Sequence, residues 1–262
     1  MTPVPGRPVV ARRHGAPLPT RPHLAPRPEH LWIAALAAAV ALAAMRVAGL
    51  HGPRAWAPLL PLGFVLMAGL PWWWLTAEGR RRIGLQRARS LRSAVAALAV
   101  GAALALACGA LGQALFGAGP DHWYQSVAAY YRRQADIQGL DRLGLYLMFT
   151  LPALIFSPIG EEVFFRGVLH GALAARWGER SATWAEASLF GVVHLAHHGV
   201  ALTPGGWAWR PASAALWVLA MMAVAHVLAA LRRSSGSLGP PILAHASFNA
   251  AMNAWIFVVL WP

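Results

Sequence analysis

Lysine is absent from the 262 residues, and all 22 basic side chains are arginine. Acidic residues number nine, and charged residues make up 12% of the chain. A soluble domain is closer to a quarter charged, so this deficit, alongside 58% hydrophobic residues, excludes an ordinary soluble domain and fits a membrane protein. The single cysteine, Cys108, lies in an apolar run, which excludes an intrachain disulfide framework and a cysteine zinc site. The terminal "VVLWP" contains no prenylation box, so lipidation is not expected there. The +13 net charge could suggest a nucleic-acid partner. The arginines, however, fall in short clusters between apolar runs, which suits the ends of membrane helices, and no nucleic acid is expected.

Residues 1–30 hold eight prolines and five arginines with few large apolar side chains, a composition that predicts a disordered cytoplasmic tail. A signal peptide is the rival reading, because Arg12 and Arg13 precede an apolar stretch; the long spacing and the spans that follow favour an uncleaved first helix. The transmembrane domain is then 31–262. About 20 apolar residues cross a bilayer, and candidate spans lie near 31–50, 55–75, 94–116, 143–175, 183–199, 213–231 and 238–260. The fold class expected is all-α: a polytopic integral membrane protein of about seven transmembrane helices with its active site in the bundle core. Arg46, inside the first span, is expected to snorkel toward the outer end. Fifteen arginines fall in the inner segments against five in the outer ones, which predicts N-terminus inside and C-terminus outside in a cytoplasmic membrane of bacterial type. The loop 117–142, with "DHWYQSVAAYYRRQ", reads as an amphipathic helix with its aromatics at headgroup level on the outer face. The run 143–175 is too long for one ordinary span, roughly 50 Å of helix. It either continues through Pro152 and Pro158 with a kink or restarts at Ser157-Pro158, a helix-start pair.

Ionisable groups inside a membrane are costly, about 2.5–3.5 kcal/mol each on insertion scales, and each is a functional candidate. In "EEVFFR", Glu162 and Arg166 are four apart and share a helix face, whereas Glu161 points about 100° away. One glutamate is thereby paired and the other left free. "FGVVH" puts Phe190 and His194 one turn apart, and "HASFN" does the same for His245 and Asn249. Counted from the cytoplasmic ends, Glu161, His194 and His245 lie roughly 21, 18 and 12 Å deep, so three helices bring polar groups to compatible heights. A lone His or Asn in a span is often only an interhelical hydrogen-bond partner; the whole set is harder to explain that way. His170, His197, His198 and His226 are weaker candidates, with aqueous contact accounting for His197 and His198. Glu186, within the fifth span, is a candidate second partner for Arg166.

"EEVFFR", "FGVVH" and "HASFN", in that order on successive late helices, resemble the EExxxR, FxxxH and HxxxN motifs of the CPBP family of intramembrane proteases. That family includes type II CAAX prenyl proteases and bacteriocin-processing or self-immunity proteins. "RRIGLQR" is also similar to a segment found upstream in the family, and the resemblance spans about 80–260. It implies an endopeptidase acting on membrane-associated or lipidated proteins or peptides. By position it implies Glu161 as catalytic carboxylate, His194 helping to hold or deprotonate the attacking water, His245 and Asn249 donating to the oxyanion, and Glu162, Arg166 and Phe190 in support. Water is expected to reach the site from the cytoplasmic side. The metal-free chemistry is favoured, with no cofactor. The alternative is a Zn2+ enzyme using Glu161, His194 and His245 as ligands, against which stand the absence of HExxH and the poor ligand character of Asn249. A proton-coupled transporter would also use buried carboxylates and histidines, but no second copy of these segments is present. A non-catalytic membrane scaffold is the remaining alternative, although every expected catalytic position is filled.

Overall fold

The computed structural model describes residues 16–23, 25–87, 90–134, 139–203 and 206–261. The first helices are α1 (Leu31–His51), α2 (Leu59–Trp74), the short α3 (Ala77–Arg82) and α4 (Leu91–Phe116). There follow α5 (Trp123–Gln134) and α6 (Arg142–Glu161), a π-helical stretch Glu162–Leu169, α7 (His170–Trp177) and α8 (Glu179–Val193). A small antiparallel hairpin, β1 (Val200–Thr203) and β2 (Gly206–Trp209), precedes α9 (Pro211–Ser235) and α10 (Gly239–Trp255). Among the described residues six helical runs, not the expected seven, are long and apolar enough to cross a membrane. The exception is the expected span 183–199. Its helix α8 has 15 residues, about 22 Å, and breaks at His194 into a 3-10 turn and the hairpin. The inside-out surface agrees with a lipid solvent, for Val40, Val95, Leu151 and Leu219 all face outward and exposed.

With little hydrophobic drive between helices in lipid, close backbone approach holds them together. On α4 the small residues Ala97, Gly101, Ala105 and Gly109 recur every fourth position and are buried. A Cβ at Gly101 would sit 1.9 Å from the Ala244 carbonyl oxygen, so only glycine admits α10 here. Gly160 of α6 meets α2 in the same way, 2.5 Å from the Phe64 carbonyl oxygen.

The long run does not restart at Ser157. Asp141 caps α6 by accepting from the Gly144 N–H at 2.7 Å, and the helix continues through Pro152 and Pro158 to Trp177, ending at Gly178 with φ +82. Contacts define the two ends of the bundle. At one, Trp32 packs on Trp177 and the Arg232 guanidinium donates to the Arg82 carbonyl. There Thr76 caps α3, and Arg81 and Arg82 hold the Glu78 carboxyl below its usual range. At the other end His51 meets Ala196, Asp121 pairs with Arg210, and Arg132 lies over Trp261. Trp32 and Trp261 therefore lie at opposite ends, because α8, though short, carries the chain back.

Two expectations are corrected by packing. Residues 1–15 of the expected tail lie outside the described residues, but Leu18 is buried, Thr20 bridges to Leu75, and the Arg21 N–H donates to the Trp74 carbonyl. That part docks on the bundle because the loop after α2 offers free backbone groups to pair with. Three of the four α5 aromatics turn into the bundle rather than outward. Trp123 and Tyr124 are buried and donate to the Cys108 and Ala105 carbonyls, and Tyr131 donates to Asn253.

Candidate active site

Neighbouring positions at the end of α6 send two carboxylates in different directions, as one residue of helical rotation requires. Glu162 and Arg166 are both fully buried. Glu162 Oε2 lies 3.2 Å from Arg166 Nε, and Glu186 Oε1 lies 3.1 Å from the same nitrogen. The Arg166 guanidinium also stacks 4.0 Å from the centre of the Phe190 ring, a cation–π contact that a dry site strengthens. Beyond it Glu186 approaches His170 at 3.5 Å, and His170 reaches the exposed Glu179 at 3.0 Å. Glu186 is thus the second partner of Arg166, and Phe190 is the floor beneath the cation.

Glu161 is not the free carboxylate that helical spacing suggests. Its Oε1 takes an ion pair with Arg46 Nη2, and both side chains are buried. Arg46 therefore does not snorkel; it turns inward to α6, over the Phe64 ring. Glu161 Oε2 is buried with no hydrogen-bond partner among the described residues.

Two imidazoles complete the centre, each oriented by the partner of its Nδ1. His194 Nδ1 is 2.6 Å from the Phe190 carbonyl oxygen; a carbonyl only accepts, so Nδ1 carries the proton and Nε2 keeps a lone pair. His245 Nδ1 donates to Glu162 Oε1 at 2.8 Å, which leaves Nε2 beside Ser157 Oγ at 3.5 Å. The Asn249 amide donates to the Ala153 carbonyl at 2.9 Å and to Ser157 Oγ at 3.3 Å. Both its protons are therefore committed to α6.

Glu161, His194, His245, Asn249, Phe190 and Ser157 line one cavity of about 580 Å³. Glu162 and Arg166 stand behind its wall. Apolar side chains such as Phe64, Phe149, Phe156 and Met252 complete it, and it extends to Arg132 and Arg133 of α5. That is the end opposite α3, whereas water is expected from the arginine-rich end. Of the weaker histidines, His197 lines the cavity, and His198 is buried between Ser126 and Ser213 rather than in aqueous contact. His226 bonds its own helix at the Met222 carbonyl. Among the described residues no three His, Cys, Asp or Glu side chains converge to hold a metal ion.

Arg46 and Ser157 were the two members that sequence reasoning missed. Arg46 left one signal, a lone cation in an apolar span. Ser157 left none, because its place next to Pro158 reads as a cap.

The fold and site define an all-α polytopic membrane protein with a buried ionic centre facing an apolar cavity. Residues 143–251 match the family model described as type II CAAX prenyl endopeptidase Rce1-like. That segment, less than half of the chain, is similar to that endopeptidase family, which is consistent with the CPBP proteases that the motifs resemble. Neither a search of curated proteins nor one of solved structures returns a match.

Proposed function

We propose that the protein is an intramembrane endopeptidase that hydrolyses peptide bonds of membrane-associated or lipidated proteins or peptides with a water activated by Glu161. One observation carries this: Glu161, which lines a cavity large enough for water, has a buried carboxylate oxygen, Oε2, without a partner among the described residues. A buried acceptor of this kind calls for a hydrogen-bond donor, and water supplies one. Oε2 takes the water's proton as hydroxide adds to the scissile carbonyl, and the proton then passes to the leaving amine. His194 Nε2 accepts the water's second hydrogen and aims it. His245 donates Nε2–H to the oxyanion while its Nδ1–H stays on the Glu162 carboxylate. Asn249 joins it by releasing Ser157. The test is comparative proteomics of membranes from cells carrying the wild type or Glu161→Asp. A membrane protein or peptide should persist uncleaved only in the variant; identical profiles would count against the reading.

The zinc alternative keeps one point in its favour. Both imidazoles have Nδ1 anchored, and Nε2 meets at most the Ser157 hydroxyl at 3.5 Å, an arrangement compatible with metal-ligating histidines. The two chemistries separate in one pair of assays. For the metal-free enzyme, Asn249→Ala lowers kcat by roughly 10²–10³ with little change in KM, as for other oxyanion donors, and chelators leave the rate unchanged. Zinc-reversible chelator inhibition with a mild Asn249→Ala effect would establish the other.

For orientation, the clustering of Arg80–Arg82, Arg176, Arg232 and Arg233 at one end supports that end as cytoplasmic. Reporter fusions after Arg92 and at Pro262 should then report the cytoplasm and the opposite side. Both on one side would overturn this topology.

A further inference from the structure

Arg46 lies on α1, outside the matched residues 143–251 and outside the three motifs. An arginine within a span is costly and persists only with a partner. Its partner is the carboxylate that the protease reading makes the general base. Arg46 does not line the cavity, whereas Glu161 does. The guanidinium takes Oε1 of that carboxylate, and Oε2, itself buried, has no hydrogen-bond partner among the described residues. His194 and His245 also line the cavity, but each has its Nδ1 committed elsewhere, to the Phe190 carbonyl and to Glu162. Among the described residues Arg46 alone hydrogen-bonds Glu161's side chain.

We propose that Arg46 is a positioning residue for the base: it fixes Oε1 of Glu161 and keeps the carboxylate ionised in a dry wall, so that Oε2 is presented to the attacking water. Burial disfavours a lone charge, so without Arg46 the carboxyl would take up a proton and lose its fixed rotamer. The catalytic consequence rests on the protease reading; the pairing does not. A latch that idles the base until Arg46 moves away makes the opposite prediction.

Two measurements on the purified full chain in lipid nanodiscs decide the matter. The first is cleavage of an internally quenched farnesylated peptide with a CAAX terminus, the class named by the family. Arg46→Gln should lower kcat by about 10² or more with KM within about twofold, and Arg46→Lys should recover to within about tenfold of wild type. A rate for Arg46→Gln equal to or above wild type overturns the proposal. The second is infrared spectroscopy without substrate. Arg46→Gln should gain a protonated-carboxyl stretch that is absent from Arg46→Gln/Glu161→Gln, and a spectrum without it overturns the proposal whatever the cleavage assay shows. If the wild type cleaves no peptide, the protease reading fails while the infrared bands still decide the role of Arg46. If Arg46→Gln does not accumulate, recovery in Arg46→Gln/Glu161→Gln shows the charge pairing, and failure to recover refutes it.

Discussion

Replacing Glu161 by glutamine is expected to lower the cleavage rate by roughly 10²–10⁴-fold, the range for a positioned general base. Thermal stability should fall with it, because Arg46 is then left buried with no carboxylate; removing one partner of a buried pair costs about 3–5 kcal/mol. The two losses have different origins, and a second variant separates them. Glu161→Asp retains the charge and so keeps Arg46 paired, but shortens the reach by one methylene. A displacement of about 1 Å in a reacting group can cost on the order of 10²-fold. Glu161→Asp should therefore melt near the wild type and cleave poorly, as followed by a melting curve and by the quenched-peptide rate on the same preparation. A Glu161→Asp variant that cleaves at the wild-type rate would remove Glu161 from the chemistry.

The parts of the site legible in the sequence are those that a single helix sets. Glu162 with Arg166, Phe190 with His194, and His245 with Asn249 each lie one turn apart, and a 3.6-residue period puts each pair on one face whatever surrounds it. The α6 run was legible as a long hydrophobic stretch, but its continuity was not: Pro158 could start a helix or be tolerated within one. What spacing cannot supply is the partner on another helix. Arg46 and Glu161 are 115 residues apart, and the contact depends on how α1, α2 and α6 pack, with Gly160 set against Phe64. The commitment of the Asn249 amide to Ala153 and Ser157 is the same kind of fact. Composition misled where short segments borrow stability from the bundle. Pro19 and Thr20 are anchored by backbone bonds to the loop after α2, and Trp123 and Tyr124 by carbonyls of α4. Hydropathy likewise overran the end of α8 through His194 because the residues beyond it are apolar, although the chain there turns into the Val200–Trp209 hairpin.

Arg166→Met should have the largest effect on folding of any single substitution in the centre. Glu162 and Glu186 are both fully buried and both reach Arg166 at ion-pair distance. Methionine preserves much of the side-chain volume above Phe190 but leaves two carboxylates with no cation between them. Losing the shared partner of two buried charges should cost more than the about 3–5 kcal/mol of one broken pair, a large fraction of the 5–15 kcal/mol typical of a whole domain. The variant should fail to accumulate or should melt far below the wild type in detergent. Glu186→Gln should be milder, because Glu162 still holds Arg166. Neutralising the whole cluster reverses the argument: with Glu162→Gln and Glu186→Gln added, no unpaired charge remains, and an uncharged set of similar shape can match an ionic one in stability. The triple variant should therefore regain yield and melting temperature. It should not regain cleavage, since His245 Nδ1 then faces a neutral amide at position 162 in place of its carboxylate acceptor. An Arg166→Met protein as stable as the wild type would mean that the two carboxylates are satisfied by something other than Arg166.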